Sequence, residues 1–187
     1  ELVRARAGGA GGDRDLLQFV DHSAGDYRVE RRSYASLWSN GQALARALVR
    51  EGLKPGDRLA LMMENHAAFV DAMVASAIVG TVLVPIDPRT RGRKLRYLLD
   101  FARCRGALAG SYCRDAIAEV RADVPTLEWV WHVDEPSFAQ RLEGPGAELP
   151  IATRLDTPML LVFSSGTTGD PKAFVATYER YATKGSE

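Results

Sequence analysis

Apolar and polar positions alternate between two periods along this chain. Residues 58–63 form a short apolar run, as do 81–85 and 159–163, and each reads as a buried strand. Between the first two, residues 66–79 are apolar nearly all round, which predicts a buried helix with Asn65 as its cap. Upstream, 26–30 alternates as a strand does, and Ser33 can cap a helix carrying Leu37, Ala45, Leu48 and Val49 on one side. That helix ends near Glu51-Gly52. Leu53-Lys54-Pro55-Gly56-Asp57 is a turn, with Pro-Gly supplying type II geometry. Helices at 91–103 and 111–122 alternate with strands at 107–109 and 128–133, and a Pro/Gly-rich loop leads to the strand at Met159. Continuous apolar strands alternating with helices predict an α/β fold, a mostly parallel sheet with helices on both faces.

Residues 1–12 are rich in Gly and Ala and show no period. Residues 1–25 are expected to be a flexible lead-in, and 26–187 the folded part. The 187 residues suffice for one domain with a real core. Net charge is zero, so nothing at the whole-chain level points to nucleic acid or an anionic membrane. The longest apolar run, 72–86, is too short to span a bilayer and contains Gly80, a helix stop. No secretory signal is visible, and the absence of an initiating Met leads us to expect residues before Glu1. Cys104 and Cys113 match no metal or CxxC spacing and read as free thiols of a reducing cytoplasm. His22, His66 and His132 form no ligand pair, and no residue is singled out as a metal ligand.

The candidate chemistry lies in Phe163-Ser164-Ser165-Gly166-Thr167-Thr168-Gly169-Asp170-Pro171-Lys172. The stretch sits between the strand at 159–163 and a second apolar run, 173–176. Glycines let backbone N–H groups approach an anion, hydroxyls donate to phosphate oxygens, and Lys172 adds a full positive charge. It is not a Walker loop, because Pro171 precedes the lysine and Ala173 follows it. No Gly-x-Gly-x-x-Gly spacing follows a strand here either. A plain polar turn between strands does not need so many fixed positions.

This loop resembles the phosphate loop of the adenylate-forming enzymes: acyl-CoA synthetases, luciferases and the adenylation domains of peptide synthetases. Every fixed position of that pattern is met. Lys54-Pro55-Gly56-Asp57, Asn65, the strand ending Val84-Pro85 and the following Ile86-Asp87-Pro88-Arg89-Thr90 are similar to family segments as well. The likeness runs from about Tyr27 to the end, with only the loop specific. It implies the N-terminal, incomplete part of the large adenylating domain, ending just after the loop.

The resemblance further implies ATP-dependent activation of a small carboxylic acid to an acyl-adenylate, then thioester formation with coenzyme A, with Mg²⁺ on the phosphates. Ser164, Ser165, Gly166, Thr167, Thr168, Gly169 and Lys172 would contact ATP phosphates, with Thr168 and Lys172 catalytic. The Gly-Thr-Thr-Gly form is similar to acyl-CoA synthetases, and the segment from Lys172 to Ala182 to ligases for small polar acids of the crotonobetaine/carnitine type. A peptide-synthetase adenylation domain is the alternative. Two positions depart from the pattern: Ala173 where Gly is common, and Tyr178 where a His lying beside the substrate carboxylate is common. Tyr178 keeps a ring and a hydrogen-bonding tip but carries no positive charge near neutral pH. The family's adenine and ribose contacts lie beyond Glu187, so a non-catalytic fragment that binds nucleotide weakly, or an interaction module, is the competing expectation. Two other features have competing readings. The basic cluster Arg89, Arg91, Arg93, Lys94 and Arg96 could grip coenzyme A phosphates, but a solvated helix face is favoured. Trp129 and Trp131 could stack on a base, but their period-two spacing favours core packing.

Overall fold

The computed structural model describes residues 1–21, 27–164 and 171–182. The chain runs Leu2–Ala7 (α1), Asp15–Asp21 (β1), Arg28–Ser33 (β2), Tyr34–Arg50 (α2), Arg58–Met62 (β3) and Ala67–Val79 (α3). It continues with Val82–Pro85 (β4), Gly92–Phe101 (α4), Cys104–Ala109 (β5), a 3-10 turn into Arg114–Arg121 (α5), and Trp129–His132 (β6). Pro136–Leu142 (α6), Pro158–Ser164 (β7), Lys172–Thr177 (β8) and Tyr178–Ala182 (α7) complete it.

Six strands form one sheet in the order β6-β5-β3-β4-β7-β8. All neighbours are parallel except β7 and β8, which form an antiparallel pair. Side-chain alternation on β3 explains the two layers that flank it. Leu59 and Leu61 face one side, where α2, α3 and Phe138 of α6 pack. Ala60 and Met62 face the other, under Leu95, Leu98 and Leu99 of α4 and Ile117 and Val120 of α5. A sheet buried on both faces needs apolar residues at consecutive positions, as β3 and β4 have.

Local chemistry sets the element ends. Ser33 caps α2, its hydroxyl accepting from the Ser36 amide at 3.1 Å while Ser36 Oγ accepts from the Ser33 amide at 2.8 Å. Gly56 has φ +86, the conformation a type II turn requires after Pro55. Gly80 closes α3 in the left-handed region at φ +84.

Several expectations are corrected. Residues 1–21 hold a helix and a strand rather than a structureless lead-in. Arg4 of the helix pairs with the distant Glu148 at 3.0 Å, and the strand β1 pairs with the next strand, β2, Val20 lying opposite Val29. His66, not Asn65, caps α3, its Nδ1 accepting from the Ala68 amide at 3.1 Å. Val49 is exposed instead of lying on the buried stripe of α2. The loop after β6 contains α6, with Pro136 in its first turn, where its missing N–H costs nothing.

Candidate nucleotide-phosphate site

The phosphate-loop residues are carried by the β7–β8 hairpin at the carboxyl edge of the parallel sheet. Leu160 of β7 pairs with Leu83 of β4, which anchors the hairpin to the core. The ladder then runs outward to its last pair, Ser164 opposite Lys172. The chain leaves β4 through α4 toward β5 on one side and leaves β7 toward β8 on the other. The carboxyl ends of β4 and β7 therefore diverge, the arrangement that opens ligand crevices in α/β sheets.

Of the residues expected to contact phosphate, Ser164 and Lys172 are described, and the structure brings them together at the hairpin neck. Both are exposed. Ser164 Oγ donates to the Lys172 carbonyl at 3.3 Å, so the hydroxyl closes the neck in this conformation. Directly opposite residues share a sheet face, so both side chains project on the α2/α3 side with Val162. Phe163 and its partner Ala173 point to the α4 side. Ser165, Gly166, Thr167, Thr168 and Gly169 lie outside the described residues.

The structure adds a neighbour that the sequence reading missed. Tyr97 of α4 donates its hydroxyl to the Pro171 carbonyl at 3.3 Å. Its ring lies 5.5 Å from that of Phe101, which meets Phe163 edge-on at 5.8 Å. The available signal was an aromatic pair at i, i+4 on a helix whose other surface side chains are mostly basic.

Tyr178 lies away from the hairpin neck. It follows β8 at the far end from Lys172, where its amide donates to the Thr157 carbonyl at 3.2 Å. The six residues of β8 separate the two by roughly 20 Å of strand. Its ring packs into the core on the α2/α3 face, and burial raises its phenol pKa, opposed by Ser76.

The basic cluster is spread along the solvent side of α4 and its approach. Asp87 holds the Arg89 guanidinium through contacts of 3.0 and 2.6 Å, and that pairing keeps the Asp87 carboxyl below the usual range. Arg91 donates to the Pro88 and Thr90 carbonyls, and Arg96 lies 3.7 Å from Asp123. These contacts close a turn and solvate a helix. Trp129 and Trp131 stack on each other at 4.5 Å, and Trp131 also meets Phe138 and the Arg141 guanidinium, in a packing role. His22 lies outside the described residues, and His132 is buried at the end of β6.

The family model for AMP-binding enzymes matches residues 11–186. The chain belongs to the AMP-binding enzyme family. A long-chain-fatty-acid–CoA ligase, FadD13 of Mycobacterium tuberculosis, is 30% identical over 152 residues, which is 80% of this chain and 30% of that protein. A probable non-canonical nonribosomal peptide synthetase, CymA of Salinispora arenicola, is also 30% identical over 152 residues, 80% of this chain and 2% of that protein. The inhibitor-bound N-terminal domain of FACL13 from Mycobacterium tuberculosis superposes with a TM-score of 0.80 at 27% identity. The overlap covers 95% of this chain and 44% of that one. The chain thus spans under a third of the length of these curated relatives. The AMP-binding fold places the hairpin and its loop in the N-terminal part of an adenylate-forming enzyme.

Two further features bear on ligands. Among the described residues no three His, Cys, Asp or Glu side chains cluster as a metal cage. Among them, too, no helix is long and apolar enough to cross a membrane.

Proposed function

We propose that this chain carries the phosphate grip of a cytoplasmic acid–CoA ligase. The carboxylate of a small organic acid attacks the α-phosphorus of ATP, the bond to the bridging oxygen breaks, and pyrophosphate leaves. Coenzyme A sulfur then attacks the acyl carbonyl and AMP leaves. The observation that carries this reading is the ten-residue signature mounted on a hairpin at the carboxyl edge of a parallel sheet, with Lys172 and Ser164 at its neck.

Lys172 supplies charge to the departing β- and γ-phosphates, and the backbone and hydroxyls of Ser165, Gly166, Thr167, Thr168 and Gly169 supply donors. Ser164 reaches the phosphates by turning its hydroxyl from the Lys172 carbonyl. The donor set suits Mg²⁺ held through phosphate oxygens and water, which needs no all-protein cage. Such an ion neutralises charge on the leaving group. Lys172 and Thr168 are the residues assigned a catalytic role.

A second reading, a peptide-synthetase adenylation domain, is supported by the equal identity to CymA. Both readings share the first half-reaction and differ in the thiol that accepts the acyl group. Carboxylate-dependent exchange of pyrophosphate into ATP by the full-length protein, over a panel of short polar, aromatic and long acids with Mg²⁺, tests the shared half. No exchange above background with folded protein overturns the assignment. Thioester formation with free coenzyme A then separates the ligase from the carrier-dependent enzyme.

A further inference from the structure

We infer that Tyr97 and Phe101 of α4 are a positioning pair that sets the hairpin neck from beneath; their part in catalysis rests on the adenylation reading above. Leu95, Leu98 and Leu99 bury the core face of α4. Tyr97 is half-buried at the edge of that core, and Phe101 is 53% exposed. Core burial therefore accounts for part of Tyr97 and not for Phe101. Their contacts account for the rest: α4 touches the hairpin at the residue before Ser164, through Phe101 on Phe163, and at the residue before Lys172, through Tyr97 on Pro171.

The second contact has a directional consequence. Pro171 has no N–H, so its carbonyl is the only backbone group through which that residue can be held by a hydrogen bond. A hydroxyl donating to that carbonyl orients the planar, trans Pro171–Lys172 peptide. The Lys172 amide then points away from Tyr97, and the lysine enters the β8 ladder opposite Ser164 in one orientation. The Tyr97 ring rests on Phe101 at an interplanar angle of 31°, and Phe101 meets Phe163 at 69°. Tilted and edge contacts of this kind are favoured aromatic geometries, so the phenol is held at a set height. Lys172 and Ser164 project on the opposite face of the hairpin. The pair braces one side and leaves the other open to a polyphosphate. Positioning a charge against a leaving group is where small displacements cost most rate.

Tyr97→Phe removes the donor and keeps the ring; Phe101→Leu keeps apolar bulk and removes the edge contact. Amide hydrogen exchange of the 171–177 segment, read in both variants without any substrate, tests the brace by itself. Loss of one neutral hydrogen bond should speed exchange there by roughly 2- to 10-fold, with the melting temperature nearly unchanged. Pyrophosphate–ATP exchange tests the consequence: kcat should fall by about 3- to 10-fold in Tyr97→Phe, with KM for the carboxylic acid unchanged. Hydrogen exchange equal to wild type in both variants overturns the brace, whatever the wild-type activity. Faster hydrogen exchange with kcat unchanged overturns the catalytic half. A wild-type protein without pyrophosphate exchange refutes the adenylation reading and with it the catalytic half, while hydrogen exchange still decides the brace.

Discussion

Replacing Lys172 by Ala separates the charge at the hairpin neck from the scaffold that carries it. The side chain is exposed, so its removal opens no cavity. The backbone pairing of Lys172 with Ser164 uses no side-chain atom and survives. Stability should therefore change by no more than about 0.5 kcal/mol, the usual range for an exposed site. Activity is a different matter. An ammonium about 4 Å from a phosphate charge interacts by about 4 kcal/mol at the effective dielectric of a protein surface. Part of that acts equally on bound ATP and on the transition state and does not accelerate the reaction. The remainder acts on charge that moves to the leaving pyrophosphate, and loss of one such donor typically costs about 10²-fold or more in kcat. The assay is pyrophosphate–ATP exchange with saturating acid, beside urea denaturation of the same preparation. Lys172→Arg keeps the charge but not its shape, so it should recover only part of the rate. A Lys172→Ala protein within three-fold of wild type would refute the role given to the lysine. A large loss of stability would refute its exposed placement at the neck.

Gly106→Ala should destabilise by about 1–3 kcal/mol, because the new Cβ would sit inside the Trp129 indole, itself backed by Trp131; a neutral urea midpoint would contradict that packing. Ser111→Ala should show a pH-dependent cost. Burial pushes the Asp134 carboxyl up, but the Ser111 hydroxyl and amide outweigh it and hold it below the usual range. A depressed folded pKa adds stability above the unfolded value of about 3.9 and loses it as pH falls through the folded value. The wild-type advantage should be about 0.5–1 kcal/mol near pH 7, discounted for solvent screening, and should shrink in acid below pH ~4. A gap constant from neutral to acid pH argues against the carboxylate. Burial pushes the Cys104 thiol up to about 12 and raises that of Cys113, so a thiol reagent at mild alkaline pH should label neither until urea is added. Rapid labelling of native protein would show that one is accessible.

The centre of the fold was legible because period and burial agree there. The apolar runs of β3 and β4 around a mostly apolar α3 are covered on both faces by the rest of the chain. Ser33 and Gly56 were legible because a cap and a type II turn are local chemistry. Elements that exist only through their partners were not. β1 is a strand because the adjacent β2 pairs with it, and α1 leans on Tyr34 and the distant Glu148. α6 hid because Pro136 reads as a loop residue but also suits a first helical turn. In the candidate site, residue types were legible from the loop alone, whereas spatial neighbours were not. Tyr97 is 74 residues from Pro171. Tyr178, six residues past Lys172 in sequence, ends up at the other end of a strand because an extended chain covers about 3.3 Å per residue.

The loop is mounted on the least covered part of the sheet. Leu59, Ala60, Leu61, Leu83, Val84 and Leu108 are essentially inaccessible. On the hairpin, Val162 and Phe163 are only partly covered, and Phe174 and Val175 are 47% and 53% exposed. Local opening is easiest where buried apolar contact is thinnest. On the proposed function, a loop that admits ATP and releases pyrophosphate gains from such a mount, since product release limits many enzymes. Accuracy at the reacting atoms pulls the other way, because transition-state donors act only when held in place. β7 meets both demands by division along its length. Leu160 pairs it to the core strand β4, while among the described residues the neck at Ser164 and Lys172 rests on the β7–β8 ladder and the α4 aromatics beneath it. The end paired to β4 gives the hairpin its place in the sheet, and the neck, braced on its α4 side, leaves the Lys172 side chain exposed on the other, where the proposed function needs its charge.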